Sequence, residues 1–564
     1  MKLLKDSFVE LNARNRVKAI LDKGTFREIV GPFDRLESPH LAPQGIVPQS
    51  DDGVIVARGK IDGEPAVVIS IEGNFQGGGI GEVSGAKIAG ALELAVRDQE
   101  NGTRTRPVII FDTGGVRLQE ANYGLLSIAE IGAAIVALRQ YVPVVGVIPG
   151  KIGCFGGMSI AAGLCSALIM TREGRIGLNG PEVIEQEAGI EELDSSDRRL
   201  VWGTIGGEQR FATGFVNELV EDDISVIKGA IHRIFRENIS NTRSSQVDVY
   251  SSFIGSIDLS QPLTPKKFRE LWQQYIARKD EYSLFSMQVE TDKDDEATSR
   301  GRTWLYALAR AAEINRKVPS VLCADAILGG EEVRYIAVVP NRKNRFYRAR
   351  HGEVGIEEGW TIAKYVREAV EADRKNKKKR AIVAIVDVPS QAYGYHEELL
   401  GLHQACAAAI DAYATARLAG HPVIALLVGN AISGAFLAHG LQANRIVALN
   451  DDHVHVHVMS KKSAARITRR TIEELEEATK KIPAMAYDVR SFATLGALHA
   501  LIDGINADTP IEEDIDNVCN TLLEAIQTAR SAPRDLHSRL TSDQAKKGRD
   551  ASILIRKKLA EQWN

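Results

Sequence analysis

Five short segments combine glycine and small residues in a way that could present backbone N–H groups to a ligand. They are Gly77-Gly78-Gly79-Ile80-Gly81-Glu82, Asp112-Thr113-Gly114-Gly115, Gly153-Cys154-Phe155-Gly156-Gly157-Met158-Ser159, Asp387-Val388-Pro389-Ser390 and Gly429-Asn430-Ala431-Ile432-Ser433-Gly434-Ala435. Each follows an apolar run that reads as a strand and precedes a helical segment. In α/β folds that is where ligands bind, because free N–H groups and the helix dipole favour negative charge there. The nucleotide fingerprints are absent: Gly79-Ile80-Gly81 continues as Glu82-Val83-Ser84, and there is no GxxxxGK[ST]. No GxSxG elbow occurs, and Ser159 and Ser433 have no motif-placed His and Asp. Paired donors without a nucleophile suit stabilisation of an oxyanion or thioester enolate. Any one turn also reads as a plain strand-to-helix connection; their matched repetition favours the chemical reading.

The elements that position these turns occur twice in the same order. In the first half Pro107–Phe111 reads as a strand, Leu125–Arg139 as a helix, Pro143–Ile148 as a strand and Ile160–Leu168 as a helix. The second half repeats this with Ala381–Val386, an Ala-rich helix through Cys406 to Leu418, Pro422–Val428 and a further helix after Gly434. Continuous apolar strands alternating with helices indicate parallel βα units with right-handed crossovers. The expected class is therefore α/β, in two related halves. Residues 238 to 298 are polar and rich in Ser and Asn, and read as unable to order a core of their own. The join falls there, giving residues 1-285, a linker at 286-299 and residues 300-564.

At 564 residues the chain has length for three or four small domains or two large ones. With 70 basic and 74 acidic residues, its net charge of −4 argues against a dedicated nucleic-acid binder. The five cysteines form no CxxC pair and lie mostly in apolar runs, which reads as reduced thiols in a cytoplasmic protein without a zinc ribbon. The N-terminus lacks a signal-peptide h-region and no stretch reaches the roughly 18 consecutive apolar residues of a membrane span. His453, His455 and His457 alternate with period two, so they would share one strand face, open to a metal or to a half-buried strand, and no metal is expected. The basic clusters Arg342–Arg350 and Lys461–Arg470 read equally as docking surfaces and as solvated faces, and Arg374–Arg380 as a solvated loop.

Asp112–Glu120, the Gly156-Gly157 turn and Gly180–Gln186 together resemble the N-terminal half of the carboxyltransferases of acyl-CoA carboxylases. Asp387-Val388-Pro389 and Ala431–Ala435 resemble their C-terminal half. More closely, Gly78–Leu94, Gly153–Leu164, Asn179–Ile190, Pro389–Glu398 and Ser463–Thr471 resemble the β and γ subunits of biotin-independent malonate decarboxylase, joined in one chain. The resemblance implies two crotonase-like (ClpP/crotonase superfamily) carboxyltransferase-type halves with βα superhelical repeats. The first is a β-subunit-like N-type domain and the second a γ-subunit-like C-type domain. Where biotin-dependent relatives show P-G-F-x-P-G and A-Y-G-G-A, this chain has Pro389-Ser390-Gln391-Ala392-Tyr393-Gly394 and Ala431-Ile432-Ser433-Gly434-Ala435, at positions that would face biotin; it also has no M-K-M site.

The implied activity is decarboxylation of a malonyl thioester on an acyl-carrier protein to the acetyl thioester and CO2, within a malonate decarboxylase complex. By position the enolate oxygen would be met by the backbone of Val116 and of Gly156 or Gly157, and the departing carboxylate by the backbone near Gln391, Ala392, Ser433 and Gly434. Tyr393, His396 and water are the candidates for protonating the enolate carbon. The cofactor is a phosphopantetheine-like (dephospho-CoA-type) prosthetic group presented by the carrier, with a CoA thioester as an alternative substrate. Arg117, Arg466, Arg469 and Arg470 are expected to hold it. Implied partners are the carrier protein and an acetyl/malonyl transferase α subunit, with neither nucleic acid nor membrane span, and pairing of the halves admits a homo-oligomer. The alternatives are a biotin-dependent acyl-CoA carboxyltransferase subunit and a non-catalytic assembly subunit.

Overall fold

The pairs Asp62-Gly63 and Gly329-Gly330 all have positive φ, between 54° and 85°, and each closes a two-residue hairpin of the type such residues favour. The hairpins open equivalent sheets. In the computed structural model, which describes residues 6–239, 242–278, 297–468 and 471–564, the first sheet runs in the order β1-β2-β3-β4-β5-β6-β7. Its strands are β1 (Arg27–Ile29), β2 (Val54–Ile61), β3 (Glu64–Ile71), β4 (Arg106–Ile110), β5 (Val145–Ile148), β6 (Ala167–Thr171) and β7 (Glu218–Val220). The second contains β8 (Ile314–Val318), β9 (Val321–Leu328), β10 (Glu331–Val338), β11 (Ala381–Val388), β12 (Val423–Ile432), β13 (Arg445–Leu449), β14 (Val456–His457) and β15 (Ala500–Ile502). Its order is β15-β13-β12-β11-β10-β9-β8, with β14 beside β12. In both sheets the first three strands pair antiparallel and the rest of the path is parallel.

The crossover helices match as well. Glu82–Glu100, Ala121–Leu138 and Gly157–Leu164 in the first half correspond to Ile356–Ala372, Leu402–Leu418 and Ser433–Ala438 in the second. The helix expected at Ile160–Leu168 thus starts and stops earlier, because Cys165 turns extended and Ala167 begins β6. Helix Leu402–Leu418 packs on the first half, and its alanines permit close approach: a Cβ on Gly163 would lie 2.9 Å from that of Ala407. Leu118–Leu138 is long and apolar enough to cross a membrane, yet it is enclosed between the halves as a core helix.

Two segments bind the halves beyond this interface. The polar stretch after residue 238 was expected to lack a core, but helices Val247–Ser256 and Pro265–Ala277 bury an aromatic cluster. Tyr250 stacks on Trp272 at 5.3 Å and on Trp360 of the second half at 5.0 Å, so its partners come from distant sequence. The proposed linker lies mostly outside the described residues. At the other end, helix Asp550–Gln562 returns to the first half, where Arg549 pairs with buried Glu130 and Arg556 with Glu93.

Candidate functional site

Both sheets end their central strands at a shared cavity of about 400 Å³. Asp112, just beyond β4, is buried against Arg16 at 2.8 Å and accepts the Ile152 N–H at 2.6 Å, which draws the loop after β5 beside its own. The glycines allow the two turns to touch. A Cβ on Gly115 would lie 2.9 Å from Gly156 Cα, and Gly156 has φ +58° with ψ −152°. Ile80 then fixes the first turn from behind: its N–H donates to Gly115 O at 2.8 Å and its carbonyl accepts from Arg117 N at 2.9 Å. Alternation leaves the intervening Val116 N–H on the other side.

Among the described residues, the N–H groups of Val116 and Gly157 have no acceptor, and both residues line the cavity. Gly157 is the first residue of its helix, where N–H groups lack intrahelical partners. Gly156, which also lines the cavity, donates instead to Leu178 O at 3.0 Å, so of the two alternatives Gly157 carries the available donor.

The second half builds the same backbone. Val354 plays the part of Ile80: its N–H donates to Ser390 O and its carbonyl accepts from Ala392 N, both at 3.0 Å. Gln391 therefore stands where Val116 does, and Ser433-Gly434 stands where Gly156-Gly157 does. Ser433 has φ +59°, a left-handed conformation uncommon for a residue with a side chain, and matches Gly156 at +58°. One difference decides the chemistry of this second turn: the Gln391 side-chain oxygen accepts the Gly434 N–H at 3.1 Å. Ala392 is not a donor to the cavity, since its N–H is taken by Val354 and it is fully enclosed.

The halves are stitched at the cavity wall. Gln391 donates through Nε2 to Asn179 Oδ1 at 2.9 Å, and Asn179 donates through Nδ2 to Ala392 O at 2.9 Å. Behind them the buried Glu398 carboxylate accepts the N–H groups of Leu178 and Asn179 at 3.1 and 2.7 Å. Burial pushes Glu398 up to about 7 against the opposing pull of Arg210 and those N–H groups.

The chain matches the carboxyl transferase domain model over residues 10–253 and that of the malonate decarboxylase gamma subunit over residues 349–563. It is 40% identical to the malonyl-S-ACP:biotin-protein carboxyltransferase MADC of Malonomonas rubra over 50% of this chain and 93% of that protein. The chain belongs to the malonate decarboxylase family of carboxyltransferases. It is also 38% identical to MADD of the same organism, over 34% of this chain and 68% of that protein. A chain in the crystal structure of a Pseudomonas malonate decarboxylase hetero-tetramer in complex with malonate is 55% identical over 48% of this chain and 98% of that one, with a TM-score of 0.47. Both halves are carboxyltransferase-type α/β units, β- and γ-like parts fused into one chain, and the protein is an enzyme of carboxyl-transfer chemistry.

Several sequence-derived expectations for this family member need correction. Arg117 does not reach a ligand: its guanidinium is enclosed, donating to Asp52 at 2.7 Å and Glu120 at 2.6 Å, and so anchors the Val116 turn. Arg469 and Arg470 lie outside the described residues. Arg466 is exposed and donates to Gln186 O at 2.5 Å, placing its helix against the first half near the cavity. The Arg342–Arg350 cluster is largely engaged: Arg345 holds the carbonyls of Ile254 and Ile257 at 2.8 and 2.9 Å, and Arg348 pairs with Glu192 at 3.0 Å. The histidines share no strand face. His457 is buried and stacks on Tyr487 at 3.7 Å, whereas His453 is exposed. Of the proton-donor candidates, Tyr393 lines the cavity, and burial pushes its hydroxyl pKa well up; His396 does not line it.

Lys151 and Arg175 line the cavity and were not singled out by sequence reasoning. Arg175 is stacked on Trp202 at 4.6 Å and donates to Ile152 O at 2.8 Å. Neither has a local motif to announce it. Asn179 was flagged only within a resembling segment, and its position just before the Gly180-Pro181 helix start was the available signal.

Proposed function

We propose that this protein decarboxylates a malonyl thioester carried by an acyl-carrier protein, without biotin, releasing CO2 and the acetyl thioester. The observation that carries the reading is the pair of unengaged N–H groups, Val116 and Gly157, on touching turns of one cavity wall. As the C–C bond to the carboxylate breaks, its electron pair moves into the thioester and develops charge on the carbonyl oxygen. Preorganised donors at that oxygen are worth about 10²–10³ in rate each in well-studied enzymes. The carboxylate lies toward the second half, with the backbone N–H groups of Gln391 and Ser433 beside it. A tight grip there would stabilise the ground state and slow CO2 loss. The Gln391 side chain, by satisfying Gly434, keeps that grip weak. Protonation of the enolate carbon falls to Tyr393 or water, and Lys151 and Arg175 give the cavity wall positive charge for the anionic substrate or its phosphate-bearing arm.

A second reading, carboxyl transfer to a biotin protein, is favoured by the likeness to the two Malonomonas rubra carboxyltransferases. Against it, the second-half donor at Gly434 is already engaged by the chain itself. Mixing the protein with malonyl-loaded carrier and following CO2 release separates the readings. Release without any biotin protein, insensitive to avidin, is expected. Conversion of malonyl to acetyl carrier only on adding a biotinylated acceptor, which retains the carboxyl group on its biotin, abolished by avidin, overturns the proposal, and carrier binding without conversion in either case identifies an assembly subunit.

A further inference from the structure

At the amino ends of β13 and β15, opposite the end of the sheet that forms the catalytic cavity, lies a second cavity of about 450 Å³. Two guanidinium groups line it, Arg445 and Arg539. Among the described residues, neither forms an ion pair with a carboxylate. Arg445 donates only to neutral oxygens, to Thr528 Oγ1 at 3.2 Å, Thr528 O at 3.2 Å, Asn444 O at 3.0 Å and Ser538 Oγ at 3.5 Å. Arg539 is 3% exposed and gives Nη2 to the carbonyls of Leu441 and Ala443, while its Nε and Nη1 have no partner.

Arg417, behind them, is likewise buried on neutral acceptors, Gln442 O and Gln442 Oε1, both at 3.1 Å, with Asp535 only a more distant influence. The one carboxylate that acts on Arg539, Glu130, is already held by Arg549 and Arg556. Burial pulls Arg539 down to about 9 and Arg417 to about 10, the mark of charges enclosed without counter-ions. The rest of the lining includes Ser538, Thr541, Ser542 and His499 and no acidic residue; the Thr541 hydroxyl is given to Ser538 O at 3.0 Å and that of Ser542 to Gly496 O at 3.4 Å.

We infer that this cavity binds a phosphate dianion, either inorganic phosphate or the phosphomonoester group of a small metabolite. A buried guanidinium with unpartnered N–H groups and no counter-ion, as Arg539 has, is costly, and an oxyanion that accepts from it and from Arg445 restores the balance with charge-assisted hydrogen bonds. Two guanidinium groups together with the Ser538 hydroxyl and the His499 imidazole suit the several oxygens of a phosphate better than the two of a carboxylate. Ser538–Gln544 runs through the short helix Asp543–Gly548 to helix Asp550–Gln562, which docks on the first half through Arg549 and Arg556. The ligand therefore sits at the root of the strap between the halves.

The test is calorimetric titration of the full chain at fixed ionic strength with inorganic phosphate, glycerol 3-phosphate or malonate against chloride. One saturable site for a phosphate is expected. Equal affinity for the first two marks free phosphate as the ligand, and tighter glycerol 3-phosphate binding marks an organic phosphomonoester. Arg445→Gln should weaken binding about tenfold or more, as loss of a hydrogen bond to a charged group does, and Lys377→Gln on a remote loop should not. Should Arg445→Gln not fold, His499→Ala serves, with weaker binding expected. Absence of phosphate binding in the millimolar range, a preference for malonate that Arg445→Gln removes, or unchanged phosphate affinity in both cavity variants overturns the inference.

Discussion

Glu398 of the second half accepts the backbone N–H of Asn179 of the first half at 2.7 Å, in a fully buried position. The consequence reaches the proposed oxyanion donors. Glu398 also holds the Leu178 N–H, and the Leu178 carbonyl in turn receives the N–H of Gly156, the residue before Gly157. One carboxylate in the second half thereby sets the height of a turn in the first. The groups that face it are Arg210 at 3.9 Å, Cys406 and its neighbour Glu397, itself pushed up to about 8 chiefly by burial. Glu398 is a positioning residue, since no substrate atom needs to touch it.

Replacing Glu398 with Gln should lower kcat about tenfold while leaving KM little changed, because one charge-assisted acceptor is lost. The pH profile distinguishes positioning from bulk stability. Glu398 titrates near 7 in the folded chain, so acidification through that value protonates it and kcat should fall. Its raised value means that folding favours the protonated form. Its stability contribution is therefore fully present below about 4.3 and lost as pH rises through about 7, the opposite direction. Loss of the acid limb in Glu398→Gln is the expected result; an unchanged profile with a lowered Tm would leave Glu398 a purely structural residue.

Gly157→Val should cut turnover severely while carrier binding persists. A Cβ at Gly157 would sit 2.7 Å from Leu437 Cδ1 and 3.0 Å from Ile128 Cδ1, so the turn must shift and its N–H with it. Displacing one oxyanion donor predicts a loss of about 10²–10³ in kcat. Single-turnover CO2 release and a carrier-binding titration measure the two effects separately, and equal losses in both would remove Gly157 from the donor role.

The two-fold repeat was readable because strands and crossover helices leave local periodicities, and the turns because glycine marks them. Tyr250 and Trp272 were unreadable as core, since their polar surroundings in sequence gave no hint that Trp360 would cover them. His457 looked like one of three aligned imidazoles until Tyr487 enclosed it. Arg117 was expected to hold the prosthetic group, and only the fold brings Asp52 to it. The equivalence of Gln391 to Val116 depends on which neighbours bond to Val354 and Ile80, information that exists only in three dimensions.

That equivalence gives a sharper prediction. In Gln391→Ala the Gly434 N–H loses its acceptor and becomes available to the substrate carboxylate. Extra grip on a group that must leave as neutral CO2 stabilises the ground state more than the transition state. KM and kcat should therefore fall together, which steady-state kinetics with malonyl carrier would read directly. A raised KM with unchanged kcat would mean that Gln391 itself binds substrate.

The strap between the halves predicts an acid-labile assembly. Burial pushes Glu130 up, but Arg549 and Arg556 outweigh it and hold the carboxyl at about 2. A depressed folded value contributes stability that is present above about 4.3, the unfolded value, and is lost as pH falls toward about 2. Glu130→Ala leaves the buried Arg549 guanidinium without its carboxylate and Arg556 with Glu93 alone, and breaking such a buried pair costs about 3–5 kcal/mol. The C-terminal helix should then detach first, because the Gly90 contact with Leu559 is lost with it. Hydrogen exchange should show Asp550–Gln562 losing protection while β11 and β12 keep theirs. Uniform loss across both sheets would mean that the helix is part of a single cooperative core.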